Sequence, residues 1–238
     1  MMAHKISFLI PCTVPHFQNI SKPLQFISKL TKKPDEIIIS VSEGTNLQQK
    51  LVKDIEQTYN VKVLIHDEKL THGPNRQKLV EEASGDLLIF QDADDYAHPQ
   101  RVEVIDHFFN TYDIVHLNHT WTPMGINHDT LVIDEIPHIK SSDIYKACFP
   151  NKALVCNVNS YGEGLHFKKV TAGSVALTKD AANSVNWKRW KDVTMRAEDL
   201  QYCLELLFKF NKSMLIDAPL ITYTNVDYQV GGIHETPQ

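Results

Sequence analysis

The sequence predicts an α/β fold in which a mostly parallel central sheet is flanked by helices on both faces. Short apolar runs alternate along the first half of the chain with segments whose apolar residues recur at helical spacing. The apolar runs are continuous rather than alternating, as is typical of strands that are buried on both faces of a sheet. Sheets of this kind bind ligands beyond the carboxyl ends of their strands, so the residues after each strand are the candidates for function.

Four strands and four helices are predicted in turn along the first half of the chain. The strands are the apolar runs Ile6 to Ile10, Glu36 to Val41, Val61 to Ile65 and Leu87 to Phe90. The helices lie around Leu24 to Leu30, Leu47 to Ile55, Leu79 to Ala83 and Val102 to Phe109, where apolar residues recur at helical spacing. Pro23 and Pro99 suit the first turns of two of these helices.

The second half is less regular, and its elements are predicted from shorter patterns. The strand-like runs are Tyr112 to Leu117, Leu131 to Ile133, Ser174 to Leu177, Met214 to Ile216 and Leu220 to Tyr223. Residues 198–210 give the clearest helix, because their apolar residues form one stripe. No repeat or linker divides the 238 residues, so we expect a single domain, 1–238.

Composition excludes several classes of partner and site. The chain has 24 basic and 29 acidic residues and a formal net charge of −5, without a Lys/Arg block, which argues against general nucleic-acid binding. No apolar stretch approaches the roughly 18–20 residues of a membrane span, and no signal-peptide pattern is present. Cys12 and Cys203 lie in apolar segments and suit a reducing compartment. We therefore expect a cytoplasmic protein.

The acidic segment Asp92-Ala93-Asp94-Asp95 directly follows the strand Leu87 to Phe90. Carboxylates this close together repel one another, and burying them at a strand end is costly unless a cation or a ligand compensates. Oxygen ligands suit Mg²⁺ or Mn²⁺, usually shared with substrate phosphates. The alternative is an acidic turn that caps the helix beginning near Pro99.

Three further segments have both a structural and a functional interpretation. Glu198-Asp199 either complements the dipole of the helix that it opens or supplies a general base. Arg76, in the helix start Gly73 to Gln77, is either a solvated side chain or a cation that meets a diphosphate or carboxylate. Ser42 to Thr45 is either a simple turn or a pair of acceptors that grips a base or ribose.

Taken in order, these segments resemble the family 2 glycosyltransferases of the GT-A fold, a Rossmann-like architecture, over nearly the whole chain. Asp92 to Asp95 matches the family's D-A-D-D signature, and Glu198-Asp199 matches its E-D motif. The weaker matches are Pro11 to Val14, Val41 to Thr45 (V-D-D-G-S in the family), Arg76-Gln77 with Ala83 to Asp86, Thr171 to Ser174, and Pro219 to Tyr223. Ser42 and Glu43 stand where the family has two Asp, Gln77 replaces Asn, and Leu79 replaces Gly.

The resemblance implies an inverting transferase that moves a sugar from a nucleotide-diphosphate sugar to an acceptor hydroxyl on a glycan, lipid or protein. Asp199 would be the catalytic base, and Glu198 would orient it or the acceptor. The implied donor-binding residues are Pro11, Thr13, Glu43, Arg76, Asp92 and Ala93. The implied ligands of Mn²⁺ or Mg²⁺ are Asp94, Asp92 and, from a flexible tail 226–238, His234. Residues 1–118 would form the nucleotide-sugar-binding half and residues 119–225 the acceptor side.

Two other functions compete with this interpretation. A sugar-phosphate nucleotidyltransferase would need a glycine-rich, cationic loop after the first strand, and Cys12 to His16 contains neither glycine nor Lys/Arg. A non-catalytic nucleotide-sugar-binding relative is disfavoured because Asp92, Asp94 and Asp199 are all retained. Trp187 and Trp190 either pack in the protein or offer the acceptor a flat apolar platform.

Overall fold

The computed structural model describes residues 4–121, 126, 128–140, 173, 175–187 and 198–224. The strands of these residues are β1 (Ile6–Thr13), β2 (Glu36–Ser42), β3 (Lys62–Ile65), β4 (Leu87–Phe90), β5 (Tyr96–Ala97), β6 (Ile114–Trp121), β7 (His138–Lys140), β8 (Val175–Thr178) and β9 (Ser213–Tyr223). Within the described ranges they form one nine-stranded sheet in the order β3-β2-β1-β4-β8-β6-β9-β5, with β7 paired to β9.

One half of the sheet is parallel and the other half is mixed. The strands β3, β2, β1 and β4 run parallel, with Phe8 of β1 opposite both Ile37 of β2 and Ile89 of β4. β8 runs antiparallel to β4 and β6, whereas β9 is parallel to β6 and antiparallel to β5 and β7. The predicted α/β fold is confirmed, and β4 with its acidic segment lies in the middle of the sheet.

Helices cover both faces of the sheet. They are α1 (Val14–Phe17), α2 (Ser21–Ile27), α3 (Gln49–Tyr59), α4 (His72–Glu82), α5 (Arg101–Phe108), α6 (Lys179–Ser184) and α7 (Glu198–Lys209). In β1, Phe8 and Ile10 belong to one apolar cluster and Leu9 to the other, because successive side chains of a strand point to opposite faces. Apolar residues of α2, α3 and α5 join the first cluster, and those of α4, α6 and α7 join the second.

The predicted strand Leu131 to Ile133 is wrong. Its last residue begins a short 3₁₀ helix, Ile133–Glu135. The side chain of Gln100 occupies both backbone groups of Leu131: the Leu131 N–H donates to Oε1 at 2.6 Å, and Nε2 donates to the Leu131 carbonyl at 3.0 Å. A side chain from the start of α5 therefore replaces the partner strand that an apolar run of this length would need.

The two predicted strands Met214 to Ile216 and Leu220 to Tyr223 are in fact one, because β9 continues through Pro219. Proline donates no backbone hydrogen bond and is normally confined to sheet edges and bulges. Pro219 lies opposite Asn118, where the register between β6 and β9 shifts. This irregularity lets an interior strand contain proline and extend to eleven residues.

Two smaller expectations concern thiols and membrane spans. Cys12 and Cys203 are buried free thiols, as expected from the apolar segments around them. Within the described part of the chain, no helix combines the length and the apolar character that crossing a membrane requires. The predicted tail 226–238 lies outside the described residues.

His116 is a fully buried imidazole in the middle of the sheet. It lies in β6 between Val175 of β8 and Leu215 of β9. Among the described residues, neither of its ring nitrogens has a hydrogen-bond partner. Burial therefore disfavours the protonated ring and lowers the pKa of His116 to about 4.

We expect His116→Leu to reduce the fall in the free energy of unfolding that occurs as the pH drops from 6.5 towards 4. In the native protein the pKa of His116 is depressed, so the unfolded chain binds a proton first and stability falls as the pH drops from 6.5 towards 4. The loss attributable to this ring is on the order of 3 kcal/mol. The free energy of unfolding should be measured by urea denaturation between pH 4 and 8. The control is His107→Leu on the surface of α5, and equal pH dependence in the two variants would contradict the prediction.

Candidate active site

The acidic segment forms a tight turn at the carboxyl end of β4. Asp95 is 3% exposed and Ala93 is buried, whereas Asp92 and Asp94 are half-buried. The turn is closed by a hydrogen bond from the Asp95 N–H to the Asp92 carbonyl at 3.2 Å. Gln100 is the N-cap residue of α5, and no side chain caps that helix. The acidic turn is therefore not a helix cap, and three carboxylates converge at one strand end.

Arg76 of α4 holds Asp92 from one face of the sheet. Its Nη2 donates to Asp92 Oδ1 at 2.7 Å, and its side chain is 2% exposed. The interpretation of Arg76 as a solvated residue is therefore wrong. The other carboxylate oxygen lies against Gly173, where a Cβ would come within 2.4 Å of Asp92 Oδ2. The Asp92 carboxylate is thus confined between a guanidinium and a glycine.

Arg101 of α5 supports the turn from the opposite face. Its guanidinium is fully buried and donates to the side chain of Gln91 and to the carbonyls of Phe90 and Gly173. Burial lowers the pKa of Arg101 to about 9, although the charges of Asp95 and Asp92 raise it, so the side chain remains a cation at neutral pH. Sequence reasoning missed Arg101, since an Arg in the first turn of a helix looks like an ordinary surface residue.

Thr224, the residue after β9, fastens the turn from a third direction. Its N–H donates to Asp95 Oδ1 at 3.2 Å, and its hydroxyl donates to the Asp94 carbonyl. β9 reaches this position because Tyr96 of β5, just after the turn, pairs with Thr222. Sequence reasoning missed Thr224 as well, because 129 residues separate it from Asp95.

The carboxylates of the turn outnumber the guanidinium groups that support it. Asp92, Asp94 and Asp95 lie beside two buried arginines. Burial first, and then the charges of Asp92 and Asp94, raise the pKa of Asp95 well above its ordinary value, while Thr224 and Arg101 oppose this rise. Ionisation of Asp95 is therefore disfavoured beside Asp92 and Asp94, and a cation bound at the turn would favour it.

The donor set of the turn fits a hard divalent cation. Carboxylate oxygens suit Mg²⁺ and Mn²⁺, which commonly bind one or two protein carboxylates and complete their shell with phosphate oxygens and water. In the residues that the structure describes, no group of three or more His, Cys, Asp or Glu side chains could hold a metal by itself. Asp92 and Asp94, both half-buried, correspond in number to the one or two protein carboxylates of such a shared site.

The end of β1 lies beside the acidic turn. Burial first, and then the charge of Asp94, raise the pKa of Cys12, which places this thiol within electrostatic reach of the turn. Pro11 is buried, and the Thr13 hydroxyl is 3.0 Å from Nδ1 of His16. Asn75 Nδ2 donates to the carbonyls of Cys12 and Ser40 at 3.1 Å each, so α4 ties the ends of β1 and β2 together.

Ser42 and Glu43 play different parts at the end of β2. The Ser42 hydroxyl accepts from the Leu70 N–H at 2.8 Å and donates to the Leu70 carbonyl at 3.2 Å, so its hydrogen-bonding capacity is used within the chain. Glu43 is exposed and has a left-handed backbone, with φ of 55°. Non-glycine residues rarely adopt this conformation, and it is often found at functional sites.

The remaining predicted residues lie in the second half of the chain. α7 begins at Glu198, as predicted, so Glu198 and Asp199 occupy its first turn; the described atoms do not include their side chains. His234 and Trp190 lie outside the described residues. Trp187 is fully buried and stacks on Tyr202, with ring centroids 3.5 Å apart. The packing interpretation of Trp187 is therefore confirmed, and an acceptor platform at this residue is wrong.

Solved structures with this fold include proteins in complex with uridine nucleotides. TarS 1–349 of S. aureus, in complex with UDP-GlcNAc, has a TM-score of 0.65 at 15% identity, over 93% of this chain and 58% of that one. Glucosyl-3-phosphoglycerate synthase from Mycobacterium tuberculosis, with Mn²⁺, UDP and glucosyl-3-phosphoglycerate, has a TM-score of 0.60 at 12% identity, over 94% of this chain and 73% of that one. At such identities the likeness shows the fold, and this chain spans less than three fifths of TarS 1–349.

The sequence itself shows the family. No curated protein matches the chain. The sequence profile described as glycosyl transferase family 2 matches residues 7–169, which is more than half of the chain and includes all of β1 but its first residue, the end of β2, Arg76 and the whole acidic turn. The chain therefore belongs to glycosyl transferase family 2.

Proposed function

We propose that this protein is an inverting glycosyltransferase that uses a divalent metal to move a sugar from a nucleotide-diphosphate sugar to an acceptor hydroxyl. The acidic turn carries the proposal, because its carboxylate oxygens suit a metal bound to a diphosphate. Membership of the family supports transfer of a sugar as the reaction. The buried free thiols Cys12 and Cys203 agree with action in the reducing cytoplasm.

We assign donor binding to residues 1–118 and acceptor binding to residues 119–225. Pro11 and Thr13 at the end of β1, Ala93 in the turn and Glu43 after β2 lie at the carboxyl ends of strands, where α/β sheets bind ligands. Glu43 is our candidate for the nucleobase contact, since Ser42 is occupied by Leu70. Both TarS 1–349 and the mycobacterial synthase were solved with uridine nucleotides, so a UDP-sugar is the donor to test first.

Asp94 is our candidate metal ligand, with Asp92 beside it and His234 contributing from the tail. Mn²⁺ or Mg²⁺, when bound, would stabilise the charge that builds on the departing nucleoside diphosphate. Arg76 orients Asp92 through their 2.7 Å ion pair. Arg76, which is expected among the donor-binding residues, would therefore act on the donor through Asp92.

Asp199 is our candidate general base, with Glu198 orienting it or the acceptor. A carboxylate in the first turn of α7 is held by a regular helix rather than by a loop, which favours accurate placement. In the reaction, Asp199 would take the proton from the acceptor hydroxyl as that oxygen attacks the anomeric carbon. Attack opposite the departing diphosphate inverts the configuration of the sugar.

We expect UDP or a UDP-sugar with Mn²⁺ to raise the melting temperature of the protein, and Asp94→Asn to abolish this increase. A ligand that binds only the native state at a hundredfold excess over its Kd stabilises by roughly 2.7 kcal/mol. Thermal unfolding with GDP, CDP and dTDP sugars identifies the base. Asp54→Asn, on the exposed side of α3, is the matched control. Equal increases in both variants would remove Asp94 from the metal site.

We expect Gly173→Ala to weaken the binding of Mn²⁺ with UDP by about 10- to 100-fold, the usual effect of disturbing groups that orient a metal ligand. The added Cβ would lie 2.4 Å from Asp92 Oδ2 and displace this carboxylate from Arg76. Calorimetric titration measures the affinity. Gly85→Ala is the control, since its Cβ would meet Ser7 at 2.5 Å, away from the acidic turn. Gly85→Ala should lower the stability of the protein and leave its affinity for Mn²⁺ and UDP unchanged. Full affinity in Gly173→Ala, or an equal loss of affinity in Gly85→Ala, would refute the role of Asp92 in metal binding.

We expect Asp199→Asn to lower sugar transfer by about 10²- to 10⁴-fold and to leave UDP affinity unchanged, because the amide cannot accept the acceptor proton. Transfer is measured as UDP release from UDP-glucose and UDP-GlcNAc in the presence of glycan, lipid and peptide acceptors. Glu205→Gln, two turns along the same helix, is the control. Full transfer by Asp199→Asn would reject the base assignment. Nucleotide binding without turnover in the wild-type protein would instead support a non-catalytic binding relative.

A further inference from the structure

A stack of buried side chains connects the acidic turn to the start of α7. The guanidinium carbon of Arg76 lies 5.3 Å from the ring centroid of Trp187. That indole also stacks on Tyr202 of α7, whose ring is nearly parallel at 13°, with centroids 3.5 Å apart. Because Arg76 also binds Asp92, the contacts run without a break from Asp92 to α7.

The Arg76–Trp187–Tyr202 stack is fixed by its surroundings. Trp187 and Tyr202 are fully buried, and Phe90 of β4 packs edge-on against Trp187 at 6.1 Å. The Trp187 backbone N–H donates to Gln77 Oε1 at 3.1 Å, which anchors it to the same helix that carries Arg76. A cation over an aromatic face is attracted more strongly where water is excluded, as it is here.

Tyr202 lies close in sequence and in space to the proposed catalytic residues. It follows Asp199 by three residues and Glu198 by four, so it is one turn farther along α7. The contact of Tyr202 with Trp187 therefore helps to fix the first turn of α7 relative to the sheet, together with the packing of Cys203 and Leu206. The metal-binding and proton-accepting parts of the site come from distant parts of the chain, and the stack joins them.

We propose that Trp187 is a positioning residue that sets the distance between the acidic turn and the first turn of α7 through the Arg76–Trp187–Tyr202 stack. The proposal rests on the proposed function, because it assigns the first turn of α7 to the transfer step. Simple core packing would also place an aromatic ring here. The positioning role and simple core packing predict different effects on kcat and on amide exchange in variants that remain folded but have an altered stack.

The test compares Trp187→Phe, which retains an aromatic ring, with Trp187→Leu, which retains only apolar bulk. Tyr202→Phe and Tyr202→Leu repeat the comparison from the helix side, in case Trp187→Leu does not fold. Two readouts are needed for each variant. The first is kcat for UDP release together with the affinity for UDP and Mn²⁺. The second is amide hydrogen exchange in α7 at residues 202–206, whose N–H groups bond back to the carbonyls of residues 198–202.

We expect the Leu variants to lose at least tenfold in kcat and less than threefold in UDP affinity, with the Phe variants near wild type in both. Exchange at residues 202–206 should rise at least tenfold in the Leu variants, while exchange in α3, on the far side of the sheet, stays constant. A merely structural role would raise exchange in both helices and lower kcat only in step with the melting temperature.

Unchanged kcat and unchanged exchange at residues 202–206 in a folded Leu variant would overturn the proposal, as would an equal rise of exchange in α3. The exchange measurement uses neither donor nor acceptor. An absence of turnover in the wild-type protein would therefore refute the proposed function, whereas the exchange pattern still decides whether the stack positions α7.

Discussion

The burial of charge at the end of β4 is the constraint on which the rest of the structure depends. Asp92 is paired with the buried guanidinium of Arg76, and the buried Asp95 is influenced by the charge of Arg101, which is itself held by Gln91 and backbone carbonyls. Each of these charged groups is unfavourable in the interior without its partners. Breaking a buried pair by removing one partner commonly costs about 3–5 kcal/mol, because the remaining charge is left uncompensated. The turn is therefore held in one arrangement, with Asp94 half-buried at its surface.

The topology of the sheet lets two arginines reach one turn. Arg76 comes from α4 and Arg101 from α5, which lie on opposite faces of the sheet. β8, inserted antiparallel between β4 and β6, is preceded by Gly173, which fits against Asp92 and accepts a hydrogen bond from Arg101. β9 then brings Thr224 to the turn from the far side. The mixed half of the sheet thus supplies residues that contact the acidic turn at the end of β4.

The surroundings of Ser42, Glu43 and Trp187 in the folded protein show what each of these residues does. Ser42 stands where the family has an acidic residue, and its hydroxyl is hydrogen-bonded to the backbone of Leu70. Glu43, by contrast, is exposed and has a left-handed backbone conformation. The position of Trp187 in the sequence, shortly before Glu198 and Asp199, is equally compatible with an exposed platform for the acceptor and with packing inside the protein. Its burial between Arg76 and Tyr202 decides for packing and gives it a place between the two parts of the site.

The sequence by itself determined the α/β fold, the strands of the first half and the positions of the acidic turn and of α7, because apolar periodicity and strand-end motifs are local patterns. Tertiary structure alone decided that Arg76 is buried against Asp92, that Arg101 and Thr224 support the turn, and that Pro219 lies inside one long strand. These outcomes depend on partners far apart in the chain, up to 129 residues for Thr224 and Asp95. No local pattern encodes which distant group will satisfy a buried charge; the order of the strands in the sheet does.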